Sequence, residues 1–336
     1  GWADDVLISV DETGWIRDVQ SGQPQQSGAQ DIVAAVIPAM PNLHSHAFQY
    51  ALAGKTEFRG SGEEEDSFWT WRKAMYEFQM ALTPETMEQV AFALYSEMVK
   101  AGYGWVVEFH YVHHRPDGTP YDDPAAMSNA LIRAAQNAGI GMTLLPVLYA
   151  YSGFGEEPPE DGQKRFIHDT ERYIQLLRML YAATKSMKDV RIGVAFHSLR
   201  AVSKDMMDAV LAEREQLDNT MPVHIHIAEQ EKEVYDCIAW CAQRPVEWLY
   251  DNFNVDANWC LIHATHMVEE EIKRVAKSGA VAGLCPVTEA NLGDGLFNLP
   301  AYISEGGRLG IGSDSHISVD AAEELDLDLL SASNTI

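Results

Sequence analysis

Apolar runs alternate along the chain with segments of helical period. Eight apolar runs predict β-strands, at residues 34–40, 105–110, 141–150, 190–198, 223–229, 259–266, 280–287 and 308–314. Most of these runs are apolar without interruption, which is typical of parallel strands buried on both faces. Amphipathic segments between them predict helices, at residues 84–101, 124–139, 165–183, 203–215 and 268–279.

The first predicted helix carries clear start and stop signals. We expect Thr83 to be its N-cap and Pro84 its first residue, because proline lacks the N–H that the first turn leaves unpaired. Gly102 is expected to end it. Eight strands alternating with helices predict an α/β fold of the (β/α)8, TIM-like type. A doubly wound open sheet is the alternative, but no glycine-rich phosphate loop follows the first strand.

Composition limits the partners of the chain. It has 336 residues and a formal net charge of -26, which argues against nucleic acid and anionic membranes. A small anionic substrate stays open, because a few local arginines can override the global charge. The four cysteines form no disulfide pattern, and no apolar run approaches the ~18–20 residues of a membrane span. We see no signal peptide and expect a cytoplasmic protein.

Histidines and carboxylates collect at the predicted strand ends, where a barrel forms its sites. His44 and His46 follow the first strand and share a face, since they are two residues apart. His226 on the fifth strand is followed by Glu229. Further histidines lie at or just past predicted strand ends, together with Asp314 at the eighth: His110, His197, His224, His263, His266 and His316.

Each of these residues by itself is a weak indication of a metal site. We expect His224 to be a hydrogen-bonded residue inside the barrel, one layer below His226. His113 and His114 are expected in a loop, and His168 on the solvent face of a helix. The combination of His-x-His, His-x-x-Glu, His and Asp on four strands is what predicts a metal site, for Zn²⁺ or Fe²⁺.

Several motifs resemble the amidohydrolase superfamily in its deaminase branch. They are PNLHSHAFQ, VEFHYVHH, FHSLRAV, VHIHIAEQ, CLIHATH, TEANLGDG and GIGSDSH, and the resemblance covers roughly residues 36–320. It is greatest to members that act on N-formimidoyl-L-glutamate in histidine degradation. A barrel of the metal-dependent hydrolase type is what the resemblance implies.

The resemblance also implies residue roles. One Zn²⁺, with Fe²⁺ as the alternative, would be bound by His44, His46, His226 and Asp314. The catalytic residues would be Glu229, His263 and Asp314. The substrate would be held by Gln49, Arg72, Tyr111, His197 and Arg200. The predicted fourth strand has no lysine that could bridge two metals, so a single metal is expected.

The implied reaction is hydrolytic deamination that yields N-formyl-L-glutamate and ammonia. Arg72 and Arg200 suit the two carboxylates of such a substrate, because guanidinium binds carboxylate bidentately. The alternatives are a related deaminase for a guanine- or cytosine-like ring and a non-catalytic barrel scaffold.

The resemblance divides the chain into two domains. Residues 1–35 would supply strands of a small β-sandwich, and residues 36–336 the barrel. The sequence ends before the family pattern does, so we expect the small domain to be incomplete. Members of the family tend to dimerise, so a homodimer is expected.

Overall fold

A computed structural model describes residues 2–12, 16–30, 35–54 and 75–333, in two compact units, Gly1–Pro38 and Ala39–Ile336. In the first unit, β1 (Leu7–Val10) pairs antiparallel with β2 (Ile16–Gln20). Several apolar side chains of this hairpin are exposed to solvent: Val10, Ile16 and Val19 are each more than half exposed.

The second unit is a parallel barrel. Its strands are β3 (Met40–Ser45), β4 (Tyr103–His110), β5 (Gly141–Leu148), β6 (Val190–Ile192), β7 (Val194–Ser198), β8 (Val223–Ile227), β9 (Trp259–His263), β10 (Val281–Leu284) and β11 (Arg308–Ile311). Neighbours pair in parallel around the barrel from β3 to β11, and β6 and β7 together occupy the fourth position. The predicted (β/α)8 fold is confirmed, and the open doubly wound sheet is wrong.

Helices follow most of the strands. They are α1 (Pro84–Lys100), α2 (Ala126–Ala138), α3 (Thr170–Thr184), α4 (Lys204–Leu217), α5 (Glu231–Cys241), α6 (Pro245–Asn252), α7 (Glu269–Ser278), α8 (Pro286–Leu292), α9 (Leu299–Ser304) and α10 (Ala321–Ser333). Short 3₁₀ helices span Ala47–Leu52 and Asp161–Gln163, and residues 75–79 are also helical. Thr83 caps α1 as predicted: its hydroxyl accepts the N–H of Thr86. Among the described residues, no helix combines the length and apolarity that crossing a bilayer requires.

The barrel closes where the chain after β11 meets β3. The N–H of Asp314 donates to the carbonyl of His44 at 3.0 Å, and the N–H of His46 donates to the carbonyl of Asp314 at 3.2 Å. Gly312 permits this approach, because a Cβ there would lie 2.7 Å from both the backbone nitrogen and the Cβ of His44. Closure therefore places His44, His46 and Asp314 side by side at the C-terminal end of the barrel.

The predicted boundaries of several strands are wrong. The first barrel strand covers residues 40–45 rather than 34–40, and Val36 and Ile37 are 53% and 71% exposed outside any strand. The predicted fourth strand is interrupted at Gly193, where a Cβ would lie 2.9 Å from the carbonyl oxygen of Pro222. The apolar run at 280–287 stops being a strand at Leu284, since Pro286 already begins α8.

Other differences concern helices and strand ends. The predicted helix at 165–183 begins only at Thr170, with Asp169 as its N-cap. The strands predicted at 141–150, 223–229, 259–266 and 308–314 are shorter and end at Leu148, Ile227, His263 and Ile311. Five helices were not predicted at all, namely α5, α6, α8, α9 and α10.

Candidate metal centre and substrate pocket

Side chains from three strand ends converge at the C-terminal mouth of the barrel. The Nε2 atom of His44 lies 3.1 Å from Nε2 of His46 and 3.0 Å from Nε2 of His226. Oδ1 of Asp314 lies 3.3 Å from Nε2 of both His44 and His46. Ligand atoms held tetrahedrally at ~2.0–2.1 Å from a zinc ion are about 3.3 Å apart. The four distances are close to that spacing, but the four residues do not form a single group: His44, His46 and Asp314 form one group that could hold a metal ion, and His44, His226 and His263 form another.

The outer ring nitrogens fix the direction of the lone pairs. Nδ1 of His46 lies 2.9 Å from the carbonyl oxygen of Phe109, and Nδ1 of His226 lies 2.9 Å from the carbonyl oxygen of His197. A carbonyl only accepts, so these Nδ1 atoms carry the protons and the Nε2 atoms present lone pairs. The Nε2 lone pairs of His46 and His226 both lie against Nε2 of His44, whose buried Nδ1 has no hydrogen-bond partner, so the residues present fit a bound metal.

The environment keeps these imidazoles neutral. Burial lowers the pKa of His44 well below its ordinary value, and the neighbouring imidazoles lower it further. Burial also lowers the pKa of His46 and of His226, although Asp314 partly opposes the shift at His46. A neutral imidazole is the form that binds a metal, so no proton has to be displaced from these rings at neutral pH.

The backbone is strained at the same strand ends. Non-glycine residues take the left-handed conformation there, with φ of 50° at Ala228, 66° at His263 and 44° at Asp314. This conformation costs an L-residue roughly 1–3 kcal/mol and persists where the surrounding structure enforces it, often at functional sites. The strain ends β8 and β9 and turns the following side chains over the barrel mouth.

His263 stands beside the cluster with carboxylates on both sides. Its Nδ1 lies 3.0 Å from Oε1 of Glu289, and its Nε2 lies 3.8 Å from Oε1 of Glu229 and 4.0 Å from Oδ2 of Asp314. Burial alone would lower the pKa of His263, but Glu229 and the hydrogen-bonded Glu289 raise it to about 10. Burial raises the pKa of Glu229, against the opposing charges of His263 and Arg200. The flanking carboxylates therefore favour the protonated form of His263, and burial favours the protonated form of Glu229.

A pocket opens over this cluster. Four of the predicted substrate-binding residues line it together with the cluster: Gln49, Tyr111, His197 and Arg200. The fifth, Arg72, lies outside the described residues. Arg200 is only 9% exposed, and its Nε atom has no hydrogen-bond partner among the described residues. Its positive charge opposes the rise in the pKa of Glu229 and of Glu233. Gln49 Nε2 lies 3.1 Å from the hydroxyl of Tyr111.

The remaining histidines lie away from the cluster or below it. His224 is buried inside the barrel as predicted, and its Nδ1 makes no hydrogen bond to a described residue. His113 and His114 lie in a loop as predicted, although they are buried. His168 is 4% exposed and precedes α3, so its predicted place on a solvent face is wrong. It packs instead on the rings of His113 and His114, at centroid distances of 4.5 Å.

Sequence reasoning missed part of the site. Glu289 bonds to His263 from within α8, a helix that was not predicted. The pocket is also lined by Met75, Tyr76, Tyr149, Phe166 and Leu292. Tyr149 directly follows β5, so its place at a strand end could have indicated it. The others come from connecting segments, where no strand periodicity marks the residues that face the pocket.

The chain belongs to the amidohydrolase family, whose sequence model matches residues 35–334. Among its relatives, it is 51% identical over 325 residues to the formimidoylglutamate deiminase of Pseudomonas aeruginosa, a match that covers 97% of this chain and 70% of that protein. The crystal structure of an amidohydrolase from Brucella melitensis matches with a TM-score of 0.93 at 49% identity, over 100% of this chain and 73% of that one. A guanine deaminase from C. acetobutylicum shares the fold, with a TM-score of 0.80 at 19% identity over 99% of this chain and 75% of that one. The family resemblance seen in the motifs is confirmed.

Proposed function

We propose that this chain hydrolyses N-formimidoyl-L-glutamate to N-formyl-L-glutamate and ammonia. The observation that carries the proposal is Arg200, a buried guanidinium that lines the same pocket as the histidine cluster and whose Nε atom has no hydrogen-bond partner among the described residues. An unpaired buried donor is costly, and a carboxylate of the substrate would accept from this guanidinium. The 51% identity to a formimidoylglutamate deiminase supports the same substrate.

We infer that His44, His46, His226 and Asp314 hold one zinc ion. Three neutral imidazoles and a carboxylate, joined by contacts of 3.0–3.3 Å between their ligand atoms, support zinc, and Fe²⁺ is the alternative for the same ligands. When bound, the ion acidifies a water molecule so that it can attack near neutral pH. Neighbouring residues must then move the protons of that water.

Glu229 is suited to carry the proton. The oxygen of water adds to the formimidoyl carbon, and the C–N bond to the terminal nitrogen breaks. Because burial raises the pKa of Glu229, its carboxyl group can carry the two protons of the water, one after the other, to the nitrogen that leaves as ammonia. His263, whose Nδ1 faces Glu289, is placed to donate a hydrogen bond from Nε2 to the oxygen that adds to the reacting carbon. Asp314 is within 4.0 Å of His263 and would orient the water.

The substrate-binding roles follow from the pocket. Arg200 would bind one carboxylate of the glutamate part, and Gln49, Tyr111 and His197 would contact the remaining polar groups. Arg72 keeps the role that the family resemblance implies.

An ammonia-release assay tests the proposal. Purified protein with its metal content measured is incubated separately with N-formimidoyl-L-glutamate, guanine, cytosine and 5-methylthioadenosine. We expect ammonia from the first compound alone. Ammonia from a ring compound instead would support the alternative deaminase, and metal-loaded protein that releases none from N-formimidoyl-L-glutamate would contradict the proposal. Purified protein without any transition metal would favour the scaffold.

We further propose that residues 1–35 contribute strands to a small β-sandwich and that the protein forms a homodimer. The exposed apolar side chains of the β1–β2 hairpin support the first point, since one face of a sandwich sheet is normally covered. Light scattering coupled to gel filtration would test the dimer.

A further inference from the structure

Gln163 connects two of the tyrosines that line the pocket. It is fully buried at the end of the Asp161–Gln163 helix. Its Oε1 accepts the backbone N–H of Glu160 at 2.7 Å, and its Nε2 lies 2.8 Å from the hydroxyl of Tyr149 and 3.2 Å from that of Tyr76. Because Oε1 already accepts from a backbone donor, the orientation of the amide is fixed. Both N–H groups of the amide therefore donate to phenol oxygens.

This arrangement fixes the role of both phenols. A hydroxyl oxygen that accepts the amide N–H must direct its own proton away from that amide. Tyr76 and Tyr149 both line the pocket, and both rings lie against Phe166 at centroid distances of 5.7 and 5.8 Å. The ring of Tyr149 is also 4.3 Å from that of His197. Each phenol proton is thus directed away from Gln163, on a residue that lines the pocket.

The substrate can use such donors, because two carboxylates offer more lone pairs than one guanidinium can satisfy. Arg200 is the one arginine or lysine among the described residues that line the pocket, and Arg72, with its implied role toward the substrate, lies outside them. Neutral hydroxyl donors can bind a carboxylate without adding a buried charge. We propose that Gln163 is a positioning residue that makes Tyr76 and Tyr149 hydrogen-bond donors to a carboxylate of the substrate. This inference rests on the proposed function and names the groups that recognise its substrate.

The segment that carries Tyr76 has other anchors, which supply a matched control. Gln79 donates through Nε2 to the carbonyl of Gly162 at 3.0 Å and to that of Tyr76 at 3.1 Å. The guanidinium of Arg165 donates to the carbonyls of Gln79 and Leu82. Gln79 therefore joins the same two segments as Gln163 does, but without touching a phenol.

The principal test is the Gln163→Glu variant. A carboxylate only accepts, so both phenol protons would turn toward residue 163 and the pocket would lose two donors. We expect KM for N-formimidoyl-L-glutamate to rise at least about tenfold, because the loss of one hydrogen bond to a charged group costs about that much. The kcat should stay within about threefold of the wild-type value, and the metal content should not change. Gln79→Met should lower the Tm but keep KM within about twofold. A role in packing alone would make the two variants alike.

Two further variants keep the inference open to refutation if Gln163→Glu does not fold. Tyr76→Phe and Tyr149→Phe remove only the hydroxyls, and each should raise KM by about tenfold. In the Gln163→Glu background the same changes should have little further effect, because the donors are already lost. Tyr173→Phe is the control, since its hydroxyl bonds the backbone carbonyl of Pro146. Unchanged KM in both pocket variants would overturn the inference.

Calorimetric titration with N-formyl-L-glutamate separates this inference from the proposed function. If the wild-type protein binds this dicarboxylate without releasing ammonia from the substrate, the function fails, and weaker binding to Gln163→Glu would still support the inference. If the wild-type protein turns over the substrate and Gln163→Glu has the same KM and affinity, the inference fails alone. A wild-type protein that binds no dicarboxylate would overturn it too.

Discussion

Gly312 should control metal binding although it supplies no ligand. A Cβ at this position would lie 2.7 Å from the backbone nitrogen and Cβ of His44, and 2.9 Å from its carbonyl oxygen. The shortest of these contacts is about 0.7 Å below ordinary van der Waals separation. The obstructing atoms belong mainly to the backbone of β3, so no side chain can rotate away. The φ of Gly312 is not positive, so Gly312→Ala is a steric test and not a conformational one.

The added methyl group must push the two strands apart where the ligands sit. His44 and Asp314 are joined by a backbone hydrogen bond of 3.0 Å, so separation of the strands moves one ligand relative to the other. Overpacking of this kind costs about 1–3 kcal/mol of stability. Displaced ligands should weaken zinc binding by about 10–100-fold, which is the range for mutations of residues that hydrogen-bond to metal ligands.

The assay is zinc competition against a chelator of known affinity, with kcat measured on zinc-saturated protein. Gly310→Ala is the matched control, two residues earlier on β11, because its Cβ would meet the end of the flexible side chain of Leu43. We expect zinc affinity to fall in Gly312→Ala and to stay within about threefold in Gly310→Ala. Equal zinc affinity and equal kcat in Gly312→Ala and the wild-type protein would refute the link between barrel closure and the metal centre.

Three further predictions address the pocket and the metal. Arg200→Met should raise KM for N-formimidoyl-L-glutamate by about 30-fold or more at unchanged zinc content, since a buried charge pair is worth roughly 2–5 kcal/mol. Steady-state kinetics with metal analysis tests this prediction, and loss of zinc would mean that Arg200 has another role. Glu289→Gln keeps an acceptor for Nδ1 of His263 but removes a charge that raises the pKa of that imidazole. The kcat should therefore fall about tenfold while zinc is retained, and an unchanged kcat would contradict the role of Glu289. Chelation of the metal should abolish ammonia release. In thermal denaturation, zinc at about 1,000 times its Kd should raise the Tm of the metal-free protein by about 5–10 °C. Equal Tm values with and without zinc would argue against the metal site.

The barrel was predictable because its strands are buried on both faces. Apolar runs such as the one at 141–148 are typical of parallel strands that are buried on both faces. The residues that follow such strands must lie at one end of a barrel. The convergence of His44, His226 and Asp314 follows from that rule, without any knowledge of distances. The strand ends were less predictable, because Ala228 and His263 turn left-handed without being glycine.

The second layer of the site could not be predicted, for a different reason. Glu289 bonds His263 across 26 residues, and Gln163 bonds Tyr76 across 87. Neither pair has a spacing that periodicity could reveal, since each depends on how two loops or helices meet over the barrel mouth. The apolar run before Pro286 also hid the helix that carries Glu289, because a short buried helix and a buried strand have the same apolar character.

Barrel closure and the metal centre depend on the same residues. The backbone of His44, His46 and Asp314 makes the hydrogen bonds that join the first and last strands, while their side chains supply three of the four proposed ligands. A cation bound there would therefore tie the two ends of the barrel together as well as serve the chemistry. Its binding energy would add to the stability of the closed barrel, because the open form cannot present the ligands at tetrahedral spacing. A substitution that loosens closure should for this reason lower metal affinity and stability together, even when every ligand is retained.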